Sequence, residues 1–169
     1  MRAMRGSGTL AGSRWYACQT RARAEKQVEL RLRGVGFESY LPLLLRERQW
    51  ADRRKRVALP LFPGYVFARF PLTDLHAVLG TPGLATVVRL NGRPTPVREE
   101  EIASVRALVE GANATGVLPS PSDDLTPGQE VVVVGGPFEG MRGRLVEERG
   151  AARVVVRLAA VRQAVSVEM

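Results

Sequence analysis

Leu59-Pro60-Leu61-Phe62-Pro63-Gly64-Tyr65-Val66 is an apolar, strand-like run broken by two prolines and a glycine, directly after a dense basic segment. Pro63 removes an amide donor and fixes φ, and Gly64 opens backbone conformations closed to other residues, so the spacing predicts a kink or bulge here. Phe62 and Tyr65 then flank the kink. By residue type they suit a core as well as an exposed patch.

Working outward, Arg14 to Thr20 reads as a strand, and Arg21 to Val35 as an amphipathic helix with Ala24, Val28, Leu32 and Val35 on one face, closed near Gly34 and Gly36. Phe37 to Arg46 is a second strand, Ala51 to Lys55 a charged hairpin loop, and Val57 to Phe62 and Gly64 to Phe70 two further strands. Leu72 to Leu79 suggests a short helix capped by Thr73 or Asp74. Leu84 to Leu90 is strand-like, and Asn91-Gly92 is a turn signal. Glu99 to Glu110 places Ile102, Val105, Leu108 and Val109 on one helical face, with three glutamates at the N-terminus, where the macrodipole favours negative charge. The pattern is α+β, an antiparallel sheet flanked by helices, over residues 14–111.

Residues 112–124 carry Asn113, Gly116, Pro119 and Pro121 without periodicity and read as a linker. Residues 125–169 then run strand after strand: Glu130 to Val134, Gly143 to Glu148, Arg153 to Ala159 and Gln163 to Glu168. A small all-β barrel hides the edges of such a module. Gly136, Gly140 and Gly143 are expected to supply turn conformations with φ > 0 or close backbone approach, and residues 1–13 read as a disordered leader.

With 45% hydrophobic residues the 169-residue chain can bury a core. No apolar stretch approaches the roughly 20 residues that span a bilayer, and Met1 to Ser13 lacks the apolar centre of a secretory signal, so a cytoplasmic location without membrane contact is expected. One cysteine, Cys18, and one histidine, His76, leave no disulfide or zinc cluster to build, and no cofactor is expected. Cys18 reads as a small hydrophobe in the first strand. The charge is asymmetric: up to Ala112 there are 19 Lys+Arg against 10 Asp+Glu, and from Asn113 onward 6 against 7. Such a basic domain attracts nucleic acid or an acidic protein surface, or is kept soluble by its charge.

Several segments in order resemble the NusG family of transcription elongation factors. They are Trp15-Tyr16, the run Arg21 to Lys26, Tyr40-Leu41-Pro42-Leu43, Phe62-Pro63-Gly64-Tyr65, Gly128 to Val134 and Gly136 to Gly143. Gln49-Trp50-Ala51-Asp52 and the basic residues after it look most like the specialised UpxY and RfaH-type paralogues. The resemblance implies an N-terminal NusG-like domain followed by a KOW barrel of SH3-like form. It also implies a monomeric transcription elongation or antitermination factor that suppresses pausing on particular operons and has no catalytic activity.

The resemblance implies that Phe62, Pro63, Tyr65 and Leu90 form an exposed patch that docks on RNA polymerase. It sets Arg21, Arg23, Lys26 and Gln27, on the first turns of the first helix, against the non-template DNA strand; a solvated helix face is the other reading. Trp50 with Arg53, Arg54, Lys55 and Arg56 joins an aromatic platform to phosphate-seeking charge, or protects a hairpin tip from aggregation. Phe138 either meets a ribosomal protein or the termination factor Rho, or folds back on a thin core. Where RfaH-like proteins carry His-Thr-Thr, His76 is followed by Ala77 and Val78, and a surface or half-buried histidine is expected.

Two rival functions differ in class. One is a ribosome- or RNA-binding KOW module acting outside transcription, disfavoured by the near-neutral C-terminal part. The other is a metal-dependent nuclease using Glu99, Glu100 and Glu101. Neighbours on a helix point about 100° apart, so these carboxylates cannot converge on one site.

Overall fold

β1 (Arg14–Thr20) is an apolar strand buried on both faces, since Trp15, Tyr16, Ala17 and Cys18 are each at most 2% exposed. Such a strand needs neighbours on both sides, and the computed structural model supplies them. It describes residues 12–116 and the backbone of 120–121, 130–132, 142–148, 151–158 and 163–168.

After β1 come α1 (Glu25–Gly34), β2 (Glu38–Tyr40), β3 (Leu43–Trp50), β4 (Arg53–Pro60) and β5 (Tyr65–Phe70). A 3-10 turn, Leu72–Asp74, runs into α2 (Leu75–Leu79), and β6 (Leu84–Val87), β7 (Arg89–Leu90), β8 (Arg93–Pro94) and β9 (Pro96–Val97) lead to α3 (Glu99–Thr115). The last strands are β10 (Ser120–Pro121), β11 (Glu130–Val132), β12 (Arg142–Glu148), β13 (Ala151–Leu158) and β14 (Gln163–Glu168). The chain divides into two units, Met1–Leu41 with Pro63–Val97, and Pro42–Phe62 with Arg98–Met169.

In the first unit an antiparallel sheet runs in the order β2-β5-β1-β6, with β9 pairing the start of β1. Register sets Tyr16 opposite Ala68 and Cys18 opposite Val66, so these side chains share one face; Trp15, Ala17 and Phe67 lie on the other. Tyr16 and Phe37 both meet the Phe70 ring, with centroids 4.7 Å and 6.2 Å away. Tyr40 stacks across the β2–β5 pair on Phe67. α1 buries Val28 and Leu32, four residues apart, as its periodicity predicts.

The second unit contains the β3–β4 hairpin, α3 and a five-stranded antiparallel sheet in the order β10-β14-β13-β12-β11. α3 buries Ile102, Val105, Leu108 and Ala112. Glu101 reaches back from its first turn to accept the Arg98 N–H at 2.9 Å, one half of a capping box. Gly116, in the left-handed conformation at φ 75, closes the helix.

Several expectations are corrected. α1 starts at Glu25 because Arg23 sits at φ 60, in the left-handed region; ahead of it the Arg21 N–H donates to the Gly83 carbonyl at 2.8 Å. Val35 lies beyond the helix and is 69% exposed. Phe37 to Arg46 is two strands separated at Leu41 and Pro42, which pair with different partners. Arg53 to Lys55 belong to β4, so the hairpin turn is only Ala51 and Asp52. Leu72–Leu79 is helical, but neither Thr73 nor Asp74 caps it by a side-chain hydrogen bond. Leu84 to Leu90 is likewise split, at Val88. Gly143, expected to open a strand, lies second in β12, opposite Val131.

The expected linker is also shortened, for α3 continues through Asn113 to Thr115. Asn113 explains why. Its Oδ1 accepts the Leu45 N–H at 2.9 Å and its Nδ2 donates to the Leu43 carbonyl at 3.0 Å, so one amide side chain serves the edge of β3 as a partner strand would. Asn113→Ala is expected to cost about 1 kcal/mol in denaturant unfolding and to speed hydrogen exchange at the Leu45 amide. Unchanged exchange there would show that water replaces the side chain without loss.

Candidate functional site

Gly64 is the pivot of the Phe62–Tyr65 kink. Its φ of 84, after a proline, has the residue order and sign of a type II turn, which asks for glycine at that place. Both of its backbone polar groups are held. The Thr20 N–H donates to the Gly64 carbonyl at 2.8 Å, and the Gly64 N–H donates to Glu25 Oε1 at 2.8 Å. The turn is thereby tied to the end of β1 and the start of α1.

The kink sorts its aromatic rings unequally. Phe62 was expected at the surface and is instead buried, 1% exposed. Pro63 is exposed and Tyr65 half-buried. The chemistry follows the difference between the rings: phenylalanine has no polar handle and gains about 2–3 kcal/mol by leaving water, whereas tyrosine keeps a hydroxyl that favours a wet edge. Leu90 is 57% exposed, yet register does not carry it to Tyr65. Tyr65 pairs with Gln19, and the Val88 N–H donates to the Ala17 carbonyl, so the chain leaves β6 heading for the Arg14 end of β1. Leu90 then sits on the β7–β8 hairpin, whose turn residues Asn91 and Gly92 have φ 52 and 77, as a two-residue hairpin loop requires.

Arg21, Arg23, Lys26 and Gln27 are all exposed and cluster at the β1–α1 junction. Arg21 and Arg23 lie in the loop before the helix, and only Lys26 and Gln27 lie in its first turn. The loop is anchored by the Arg21 N–H on Gly83, and α1 is tied to the same segment by Arg31, whose guanidinium donates to the Pro82 carbonyl at 2.7 Å. The two ties to Gly64 bring this basic loop and the Pro63–Tyr65 turn together in the first unit. The expectation had treated them as separate places.

In the second unit, the β3–β4 register sorts the hairpin charges by face. Trp50 pairs with Arg53, Arg48 with Lys55 and Arg46 with Val57, and alternate pairs share a face. That face carries Trp50, 64% exposed, with exposed Arg46, Arg48, Arg53 and Lys55 and no carboxylate of the hairpin. Arg54 and Arg56 belong to the opposite face, where Arg56 lies 3.7 Å from Glu47 in a solvent-exposed pair of little energetic weight. Arg54 is thus not beside Trp50. Arg46 and Arg48 escaped the sequence reading, although counting back from Trp50 in twos finds them. Glu25 is the sole carboxylate in the run Arg21 to Lys26.

His76 is exposed on α2. Cys18 is buried, and burial pushes its thiol up to about 12, so it remains a protonated, unreactive group. Phe138 and the turn glycines Gly136 and Gly140 lie outside the described residues, as do residues 1–11 and the ends of several strands expected in 125–169. Among the described residues, no group of three or more His, Cys, Asp or Glu could hold a metal ion, and no helix is long and apolar enough to cross a membrane.

A protein-family pattern, described as transcription termination factor nusG, matches residues 13–106. The transcription termination/antitermination protein NusG of Thermus thermophilus is 29% identical over 164 residues, covering 84% of this chain and 88% of that protein. The NusG of Neisseria meningitidis is 30% identical over 162 residues, covering 86% and 88%. The solved structure of Thermotoga maritima NusG, concerned with domain interaction, aligns over 95% of both chains at 23% identity with a TM-score of 0.49.

Proposed function

The chain belongs to the NusG family, and from that premise we propose that it is a transcription elongation or antitermination factor that binds RNA polymerase across its cleft. The observation carrying this reading is the Gly64 turn, which presents exposed Pro63 and half-buried Tyr65 beside an exposed basic loop. Pro63 and Tyr65 dock on the polymerase, with Leu90 as a separate apolar contact. Phe62, buried, is not part of the docking surface.

Arg21, Arg23, Lys26 and Gln27 hold the non-template DNA strand next to the docked turn, and the Trp50 face of the hairpin offers stacking and phosphate contacts to nucleic acid. Binding both partners in the elongating state more tightly than in a paused one shifts the polymerase toward elongation by differential affinity alone. The C-terminal residues 125–169 act as a KOW module that recruits a ribosomal protein or Rho, with Phe138 as its contact. The likeness of Gln49 to Asp52 to UpxY-type sequences supports service to particular operons.

The test compares polymerase affinity on a fully paired scaffold with that on one exposing a non-template bubble, across several salt concentrations. Tyr65→Ala is expected to weaken binding on both by about 2 kcal/mol, roughly 30-fold, as loss of an aromatic anchor does. Replacing Arg21, Arg23 and Lys26 together by Gln is expected to remove the bubble preference and to flatten the log–log salt slope by about 0.7 per lost phosphate contact. Parent-like affinity for Tyr65→Ala removes the docking turn from the mechanism, and a parent-like slope for the triple variant makes those charges a solvated surface.

A further inference from the structure

We propose that Glu25, the first residue of α1, is a positioning residue that locks the Pro63–Gly64 turn to the basic β1–α1 junction, so that protein docking and strand holding act as one surface. The inference rests on the function proposed above for that turn and loop. Glu25 is 7% exposed, and a carboxylate is costly to bury unless it is hydrogen-bonded. Its Oε1 accepts the Gly64 N–H at 2.8 Å, a link between residues far apart in sequence.

The turn has reason to need that link. Pro63 has no N–H to offer, and Gly64, at φ 84, is the residue with the greatest freedom to leave its conformation. With the Thr20 N–H on the Gly64 carbonyl, Glu25 completes a clamp on both sides of one residue. Both clamping groups come from segments flanking the basic loop, so neither turn nor loop reorganises alone. Ordering the turn before a partner arrives removes an entropy cost from binding. Glu25 also opens α1, where the helix dipole favours a negative charge, and the test must separate that role from positioning.

Three full-length variants do so. Glu25→Gln keeps a carbonyl oxygen that can accept the Gly64 N–H. Glu25→Asp keeps the charge at the helix start but withdraws it by one methylene, and Glu25→Ala removes both. The expected result is faster hydrogen exchange at the Gly64 amide of the free protein in Glu25→Asp and Glu25→Ala, with parent-like exchange in Glu25→Gln. Polymerase affinity on the bubble scaffold is expected to fall about tenfold in the first two and to be restored in Glu25→Gln. Combined with Tyr65→Ala, Glu25→Asp is expected to add little, because both act through one turn.

Exchange at Gly64 that is unaltered in Glu25→Asp and Glu25→Ala overturns the clamp, whatever polymerase binding does. Faster exchange with unchanged affinity overturns the coupling of turn to binding. Full additivity of Glu25→Asp with Tyr65→Ala overturns the claim that Glu25 acts on binding through the Tyr65 turn. Failure of the docking reading is distinct: Tyr65→Ala alone then leaves affinity unchanged, while the Gly64 exchange result stands or falls independently.

Discussion

Phe62→Ala is expected to destabilise the protein by about 3–5 kcal/mol, the loss typical when a fully buried aromatic ring is deleted and its cavity only partly collapses. The ring is 1% exposed and among the largest wholly buried side chains. Denaturant unfolding measures the effect directly. Phe62→Leu, which retains most of the apolar volume, is expected to recover most of it. Tyr65→Ala is half-buried and should cost much less stability, so weakened polymerase binding by the two variants would have different origins. A Phe62→Ala variant as stable as the parent would show that the ring can leave the core at no cost.

Gly83→Ala is expected to cost about 2–4 kcal/mol, combining a strained backbone with overpacking. Gly83 has φ 91, and a Cβ there meets Val28 Cγ2 at 3.1 Å and Ala24 Cβ at 3.4 Å. Val28 is wholly buried and has little room to yield. Gly92→Ala separates the two contributions: its φ of 77 is also left-handed, but nothing lies within 4 Å of its Cβ. Thermal or denaturant unfolding should therefore show a markedly smaller loss at Gly92. Equal losses would assign the whole effect to backbone conformation.

The sequence was most readable where a single local rule governs. β1, the kink at Gly64, the Asn91-Gly92 turn and the apolar face of α3 all follow from periodicity or turn chemistry, and the structure has each of them. Local rules failed where a distant group decides. Arg21 and Arg23 have ordinary helix propensity, but Arg23 is held in the left-handed region beside the Arg21–Gly83 hydrogen bond and the helix starts only at Glu25. Asn113 looked like a helix breaker because its amide usually competes with the backbone nearby; here that amide is committed to β3. Phe62 illustrates the same limit at the candidate site: a motif gives the order of its residues, while the backbone turn decides which ring faces water.

The hairpin between β2 and β5 bears on how the chain finds its fold. β2 and β5 pair Tyr40 with Phe67, partners whose direct encounter requires closing the whole intervening stretch at an unfavourable loop entropy. The Ala51-Asp52 turn permits a shorter route. A ladder started by Trp50 on Arg53 would zip outward to Leu43 with Pro60 and on to the Leu61 N–H bonded to the Pro42 carbonyl. When that contact has formed, only the residues flanking the Gly64 kink still separate β2 from β5, so a long-range pairing is reached through short closures. Hairpins form within about 1–10 microseconds, and local pairings carry a smaller loop-closure cost than distant ones. On that route the kinked glycine that shapes the exposed turn would be the last joint to set.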